Sequence, residues 1–240
     1  MNSVPKAGTH LLGVALRAMP ASRDSGVFLS HLGHDGAERR LVDSTNTLSR
    51  VRSGYFVSGH MPWTSGDGQL LERLGYRSLL LIRDPRDLLL SQIDHAVERP
   101  VNRYHQTLVA LPDRYAQLAF VLHGGPLSGS QRLAPAFGSY LQSYIDWNDA
   151  LVVRFEDLAG QRAGADPGVQ ARTLRKIGAH FAIDLSDSMV EDIVQTMGTS
   201  KTPTLRKGHI DRWRTEFTPG MRALAKESLG DLISELGYQW

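Results

Sequence analysis

Cysteine is absent from this 240-residue chain. That excludes disulfides, thiolate metal sites and a cysteine nucleophile. Long apolar runs are absent too. Leu79–Ile82 has only the length of a buried strand, and Leu11–Met19 is too short and interrupted to span a bilayer. No signal-peptide pattern precedes the first motif, so the expected setting is the cytoplasm, away from a membrane. No block of like charges stands out, and the net charge is only +2, so no nucleic-acid partner is expected. Nine histidines leave a His/carboxylate metal site chemically open, but no H-E-x-x-H spacing occurs. There is no G-x-x-x-x-G-K-[ST] loop, no internal repeat and no convincing second domain.

What is present is ordinary in bulk. A hydrophobic fraction of 41% and a charged fraction of 22% suit one substantial core, and a single domain over residues 1–240 is expected. The informative stretch is the start, Val4-Pro5-Lys6-Ala7-Gly8-Thr9-His10. A very short strand runs into Pro-Lys-x-Gly-Thr, and a helical apolar pattern follows at Leu11, Leu12, Ala15, Leu16 and Met19. Gly8 allows a tight turn and close backbone approach to a ligand. The first amides of a helix lack intrahelical partners, and the helix dipole favours an anion there. Lys6 adds a full positive charge, and Thr9 is expected to cap the helix and offer a hydroxyl. The bland alternative is a strand, turn and helix carrying an exposed lysine.

Residues 20–53 read as a loop-rich stretch of the functional or partly mobile type, whose His31 and His34 could bind a ligand but read first as ordinary surface histidines. Tyr55–Ser58 reads as a strand that puts His60 at its C-terminal end, where open α/β sheets hold their ligands. A short helix is expected over 67–75. Ser78–Ile82 reads as a strand buried on both faces, delivering Arg83-Asp84-Pro85-Arg86-Asp87. Pro85 suits a helix start, and Leu88–Val97 continues that helix with Ser91 on an early turn. Residues 98–133 form an aromatic-rich insert with a helix over Tyr115–Leu122. An amphipathic helix is expected over Pro135–Asn148, then a strand over Ala150–Phe155. Helices follow near 169–181 and 187–197, and Gly198–Thr218 reads as a loop carrying Arg206-Lys207-Gly208. Met221–Leu236 closes the chain as a helix. The alternation implies an α/β fold with a mainly parallel central sheet flanked by helices.

With these motifs in order, the sequence resembles the sulfotransferases that use 3′-phosphoadenosine-5′-phosphosulfate (PAPS). VPKAGTH is similar to the family's Pro-Lys-Ser-Gly-Thr-Thr loop, and SGHMP to its strand-end His-x-Pro. IRDPRDLLLS matches its 3′-phosphate segment, with Arg83 and Ser91 eight residues apart. LRKGHIDRWRTEFT resembles its late Arg-Lys-Gly element, and RFEDL its Tyr-Glu-Asp-Leu. The resemblance implies a P-loop-like, nucleoside-kinase-like fold and transfer of a sulfuryl group to a small-molecule acceptor, with 3′-phosphoadenosine-5′-phosphate (PAP) released and no metal required. It implies catalytic roles for His60 as base and Lys6 at the leaving oxygen. Donor binding falls to Lys6, Ala7, Gly8, Thr9, His10, Arg83, Ser91, Arg206, Lys207 and Gly208. Phe155 either stacks on adenine or fills core, and Glu156 and Asp157 read as helix caps.

Several positions depart from the family pattern. His10 replaces the second Thr of the loop, Leu11 a frequent adenine-stacking Trp, and Ser58 a frequent Lys. Asp211 and Arg212 interrupt the Gly-Asp before Trp213. The family's dimerisation motif is not recognisable, which leaves monomer and homodimer both open. The acceptor is not legible. Two other classes compete: a P-loop kinase or NTPase, disfavoured by the missing Walker-type loop, and a non-catalytic PAP-binding module, disfavoured by retention of both Lys6 and His60.

Overall fold

The computed structural model describes residues 1–31, 40–63, 66–129, 133–145, 150–200 and 209–240. In chain order the strands are β1 (Asn2–Ser3), β2 (Arg23–Ser30), β3 (Tyr55–His60), β4 (Leu79–Ile82), β5 (Gly125–Pro126), β6 (Leu133–Ala134) and β7 (Leu151–Arg154). The first six helices are α1 (Thr9–Ala18), α2 (Thr45–Leu48), α3 (Asp67–Arg73), α4 (Pro85–Glu98), α5 (His105–Val109) and α6 (Arg114–His123). The remaining six are α7 (Phe137–Ile145), α8 (Phe155–Leu158), α9 (Pro167–His180), α10 (Asp187–Thr199), α11 (Arg212–Glu216) and α12 (Pro219–Glu235). The chain forms two compact units. One comprises Met1–Arg83 and Tyr144–Ile210, the other Asp84–Ser143 and Asp211–Trp240.

The first unit holds a parallel sheet in the order β2-β3-β1-β4-β7. This is the α/β arrangement that the strand and helix alternation predicts. β4 is buried along its whole length, as its uninterrupted apolar run requires. β1 is the shortest strand of this sheet, yet it lies at the centre. Its side chain extends the pairing: Asn2 Nδ2 donates to the Met61 carbonyl at 2.7 Å, and the Met61 amide donates to Asn2 Oδ1 at 2.9 Å. An amide side chain thereby adds a surrogate backbone pair beyond the end of β3. Helix α1 packs on β2 and α10, and α9 packs on α8, α10 and β7.

Residues 20–53 differ from the expected loop. They contain the edge strand β2, then a 3₁₀ turn at Leu41–Ser44 running into α2. β2 hides from a period-two reading because its register with β3 shifts between Asp24 and Phe28, around Gly26 at φ 73°. The expected late loop likewise gives way to α11 near its end. Asp211, standing where the family pattern has glycine, takes φ 61°. Aspartate tolerates that left-handed backbone better than most residues.

The second unit is helical, with α6 against both α4 and α12, α5 and α11 against α4, and a small antiparallel ladder of β5 and β6. Asp84 caps α4 by accepting from the Arg86 amide at 2.9 Å. It also accepts a fork from the Arg86 guanidinium, at 2.9 Å from Nε and 2.6 Å from Nη2. The other side of that guanidinium lies 3.8 Å from the Trp213 ring centre. Asp87 Oδ1 in turn accepts the Trp213 backbone N–H at 3.0 Å. The second Arg and both Asp of the RDPRD segment therefore build this unit's core. Breaking a buried, forked pair leaves a charge without compensation. Asp84→Ala is expected to cost about 3–5 kcal/mol, read as a lower urea midpoint; a loss below about 1 kcal/mol would contradict the buried-pair assignment.

Candidate functional site

Three neighbouring strands end side by side in the first unit. The C-terminus of β1 opens into the Val4–Gly8 loop, β3 ends in His60, and Arg83 follows β4. The chain leaves β1 for β2 and β3 on one side, then crosses to β4 on the other. In open α/β sheets the crevice beside such a strand is where ligands bind.

The loop has the pattern of a type II turn. The Ala7 amide donates to the Val4 carbonyl at 3.0 Å, Pro5 takes the second position, and Lys6 the third at φ 77°. Glycine or asparagine normally fills that third place. A lysine held there carries backbone strain of a kind that gathers at ligand sites. Gly8 follows at φ 109° as the N-cap of α1. No side chain caps this helix, and no acidic residue sits in its first turn. The helix start thus remains electropositive, with outward amides and the Lys6 charge beside it. The expected Thr9 cap is not formed. Thr9 already lies inside the helix, and its Oγ1 is 2.6 Å from Ser3 Oγ. His10 is exposed on the first turn of α1.

Gly8 also marks a close approach. A Cβ there would lie 2.5 Å from Phe155 Cδ2. Phe155, buried at the start of α8, has the Arg83 guanidinium over its ring at 4.5 Å. The Phe155 ring packs between the Val4–Gly8 loop and Arg83. Arg83 is itself buried, and its Nη2 donates to the His209 carbonyl at 3.1 Å.

His60 is held through one nitrogen. Nδ1 lies 2.8 Å from the Ser3 carbonyl, which can only accept, so Nδ1 carries the proton and Nε2 is the basic nitrogen of the neutral ring. Burial lowers its pKa below the ordinary 6.5. The Ser3 carbonyl pulls the other way, and the positive charges of His10, His31 and Lys6 lower it further. The Phe28 ring meets the imidazole edge-on at 5.1 Å.

The structure brings Lys6, Ala7, Gly8, Thr9, His10, His60, Arg83 and Phe155 into one unit. Ser91 lies on α4 in the second unit, half-buried. Arg206, Lys207 and Gly208 lie outside the described residues, as does His34. Sequence reasoning missed four neighbours of His60: Ser3, Phe28, His31 and Tyr144. The His31 backbone N–H donates to the His60 carbonyl at 3.2 Å, and buried Tyr144 donates to the same oxygen at 3.4 Å. Tyr144 falls within the expected amphipathic helix and His31 in an expected loop, so neither carried a signal beyond its residue type. Among the described residues no group of three or more His, Asp or Glu is placed to hold a metal ion. No described helix is long and apolar enough to cross a membrane.

No protein-family model matches the chain, and no curated protein does. Among solved structures, mouse sulfotransferase SULT7A1 complexed with PAP is similar at a TM-score of 0.66 and 18% identity, over 98% of this chain and 86% of that one. A sulfotransferase domain from the curacin biosynthetic pathway aligns over 99% of this chain and 96% of that one, at a TM-score of 0.44 and 15% identity. The first of these likenesses, joined to the strand order above, shows that the chain has a sulfotransferase-like α/β fold.

Proposed function

We propose that this chain is a PAPS-dependent sulfotransferase that moves a sulfuryl group to a hydroxyl or amine of a small-molecule acceptor. The observation that carries the reading is a juxtaposition at adjacent strand ends. An anion loop with no acidic side chain in its helix start, carrying Lys6, lies beside a histidine whose Nδ1 is tied down and whose Nε2 is the base. A general base and an anion-stabilising cation are the two groups that in-line transfer from an activated sulfate needs. The likeness to a PAP-bound mouse sulfotransferase supports the choice of donor.

When bound, PAPS supplies an activated sulfuryl group and a second anionic end at its 3′-phosphate. The residues present fit both ends. The amides at the start of α1, with Thr9, suit the 5′ end. Lys6 suits the oxygen on which charge builds as the bond to sulfur breaks, and preorganised charge of this kind is commonly the largest catalytic effect. Arg83, at the end of β4, suits the 3′-phosphate through forked, charge-assisted bonds. Ser91, Arg206, Lys207 and Gly208 carry the same assignment from the sequence pattern alone. His60 Nε2 takes the acceptor's proton, and its lowered pKa keeps the ring neutral, and so able to act, at pH 7. Leu11, in place of an adenine-stacking Trp, leaves the base to other contacts. The cytoplasmic setting and the small acceptor belong to this reading.

The test is transfer of labelled sulfate from PAPS across an acceptor panel, with three variants. Lys6→Ala is expected to lower kcat about 10²–10³-fold while PAP affinity stays nearly unchanged. Arg83→Ala is expected to weaken PAP binding about tenfold to a hundredfold, the cost of one charge-assisted contact. Equal losses of binding in both would contradict this division of roles. His60→Ala is expected to lower kcat about 10²–10⁴-fold. The acid limb of kcat/KM, which reports the free enzyme, is expected below pH 6.5 and should vanish in that variant. A limb that survives His60→Ala would remove His60 from the role of base.

A further inference from the structure

Ser3 carries no role in the reading so far, yet it touches both halves of the site. It is buried in the central strand. Its carbonyl lies 2.8 Å from His60 Nδ1, and its hydroxyl lies 3.2 Å from the same nitrogen and 2.6 Å from Thr9 Oγ1. The directions of these bonds follow from chemistry. The carbonyl can only accept, so Nδ1 holds a proton. The one Nδ1 proton goes chiefly to the carbonyl at 2.8 Å, and Ser3 Oγ at 3.2 Å accepts the lesser share of it as the long arm of a bifurcated bond. The Ser3 hydroxyl proton then has one acceptor among the described residues, Thr9 Oγ1. Thr9, having accepted, must point its own proton elsewhere, and no described residue accepts it. The order that satisfies the buried Ser3 hydroxyl is His60 Nδ1–H to Ser3 Oγ–H to Thr9 Oγ1–H, and it ends at the Val4–Gly8 loop.

We propose that Ser3 is a positioning residue that couples His60 to the anion loop, so that a proton arriving at His60 strengthens the hydroxyl that Thr9 offers to a bound anion. The proposal rests on the sulfotransferase reading for its chemistry. In that reaction the acceptor O–H bond breaks and an N–H bond forms at His60 Nε2. The acceptor oxygen's electron pair makes the new bond to sulfur, and the bond from sulfur to the bridging oxygen breaks with its pair going to phosphate. No proton leaves Nδ1. The ring becomes an imidazolium, its Nδ1–H becomes a stronger donor, and hydrogen bonds in series polarise one another by about 10–30% each. Donor strength therefore rises at Thr9 at the moment negative charge rises on the phosphate. By linkage the effect is mutual, and an anion in the loop makes His60 easier to protonate.

Other groups face the imidazole as well. Lys6 comes from the loop, His10 from α1 and His31 from the end of β2, while the Tyr144 hydroxyl meets the His60 carbonyl. Positive charge on any of these three opposes protonation of His60, and removing the Ser3 hydroxyl changes none of them. A change at Ser3 alone therefore isolates the coupling.

The experiment is nuclear magnetic resonance titration of His60 in the full chain with labelled histidine, with and without PAP. The signal is assigned by its loss in His60→Ala. In unliganded protein Ser3→Ala is expected to lower the His60 pKa by about 0.2–0.5 pH unit, because the hydroxyl arm of the bifurcated bond is lost while the carbonyl arm stays. Thr9→Val leaves β1 intact and is expected to shrink the rise that saturating PAP causes by about 0.2–0.5 unit. Both shifts together support the coupling, and an unchanged titration in either variant overturns it. If PAP does not bind the wild-type protein, the sulfotransferase reading fails, while the unliganded Ser3→Ala comparison still decides whether Ser3 acts on His60. Kinetics give a second separation: Ser3→Ala should lower kcat with little change in donor KM, and should add no loss in a His60→Ala background.

Discussion

A missing methyl group holds this site together. Gly8 leaves room for the Phe155 ring, and that ring supports the Arg83 guanidinium. Any side chain at Gly8 would meet the ring at 2.5 Å and would also be strained by φ 109°. The Val4–Gly8 loop, the start of α8 and the residue after β4 therefore rest on one close approach. It joins two chain segments that are far apart in sequence, one after β1 and one after β7, on either side of β4 in the sheet order. The loop is fixed from its other side by Ser3, whose hydroxyl and carbonyl reach Thr9 and His60.

The Lys6 backbone shows how this fixation is used. A non-glycine residue in the left-handed region costs roughly 1–2 kcal/mol. It persists where neighbours leave no alternative. Here Pro5 presets the turn before it, and Ala7 closes the turn by bonding to Val4. The result places a cation at the mouth of a helix start that carries no competing carboxylate. Across the β1–β3 pairing, burial and nearby positive charge lower the His60 pKa. A lysine and a buried histidine of lowered pKa thus stand within one loop and its neighbouring strand end.

Much of this was legible in the sequence because it depends on local chemistry. The Pro-Lys-x-Gly-Thr run, the all-apolar Leu79–Ile82 strand and the strand-end His60 each have a physical signature within a few residues. β2 was not legible, because a bulge around Gly26 breaks its alternation and its edge position leaves it half exposed. Ser3 was not legible either. Serine is common in short strands, and its importance comes from standing opposite the end of β3, a relation that only the sheet register creates. Phe155 could be named but not assigned, since an aromatic after a strand fits a core and a ligand equally well until its neighbours are known. The RDPRD segment divides between two tasks that the string does not mark. Arg86 forks onto Asp84 beneath Trp213, while Arg83 faces Phe155 and His209.

The central claim is that this sulfotransferase-like fold holds a nucleotide with a 3′-phosphate. The most direct measurement is the thermal shift produced by PAP beside those produced by AMP and by ATP with Mg²⁺. A ligand present at about 100 times its Kd adds roughly 2.7 kcal/mol, on the order of 5–10 °C for a chain of this size. The account predicts a shift of that size with PAP and little with AMP, which lacks only the 3′-phosphate. A shift with ATP and Mg²⁺ but none with PAP would contradict it and would place the chain among the kinase-like phosphotransferases.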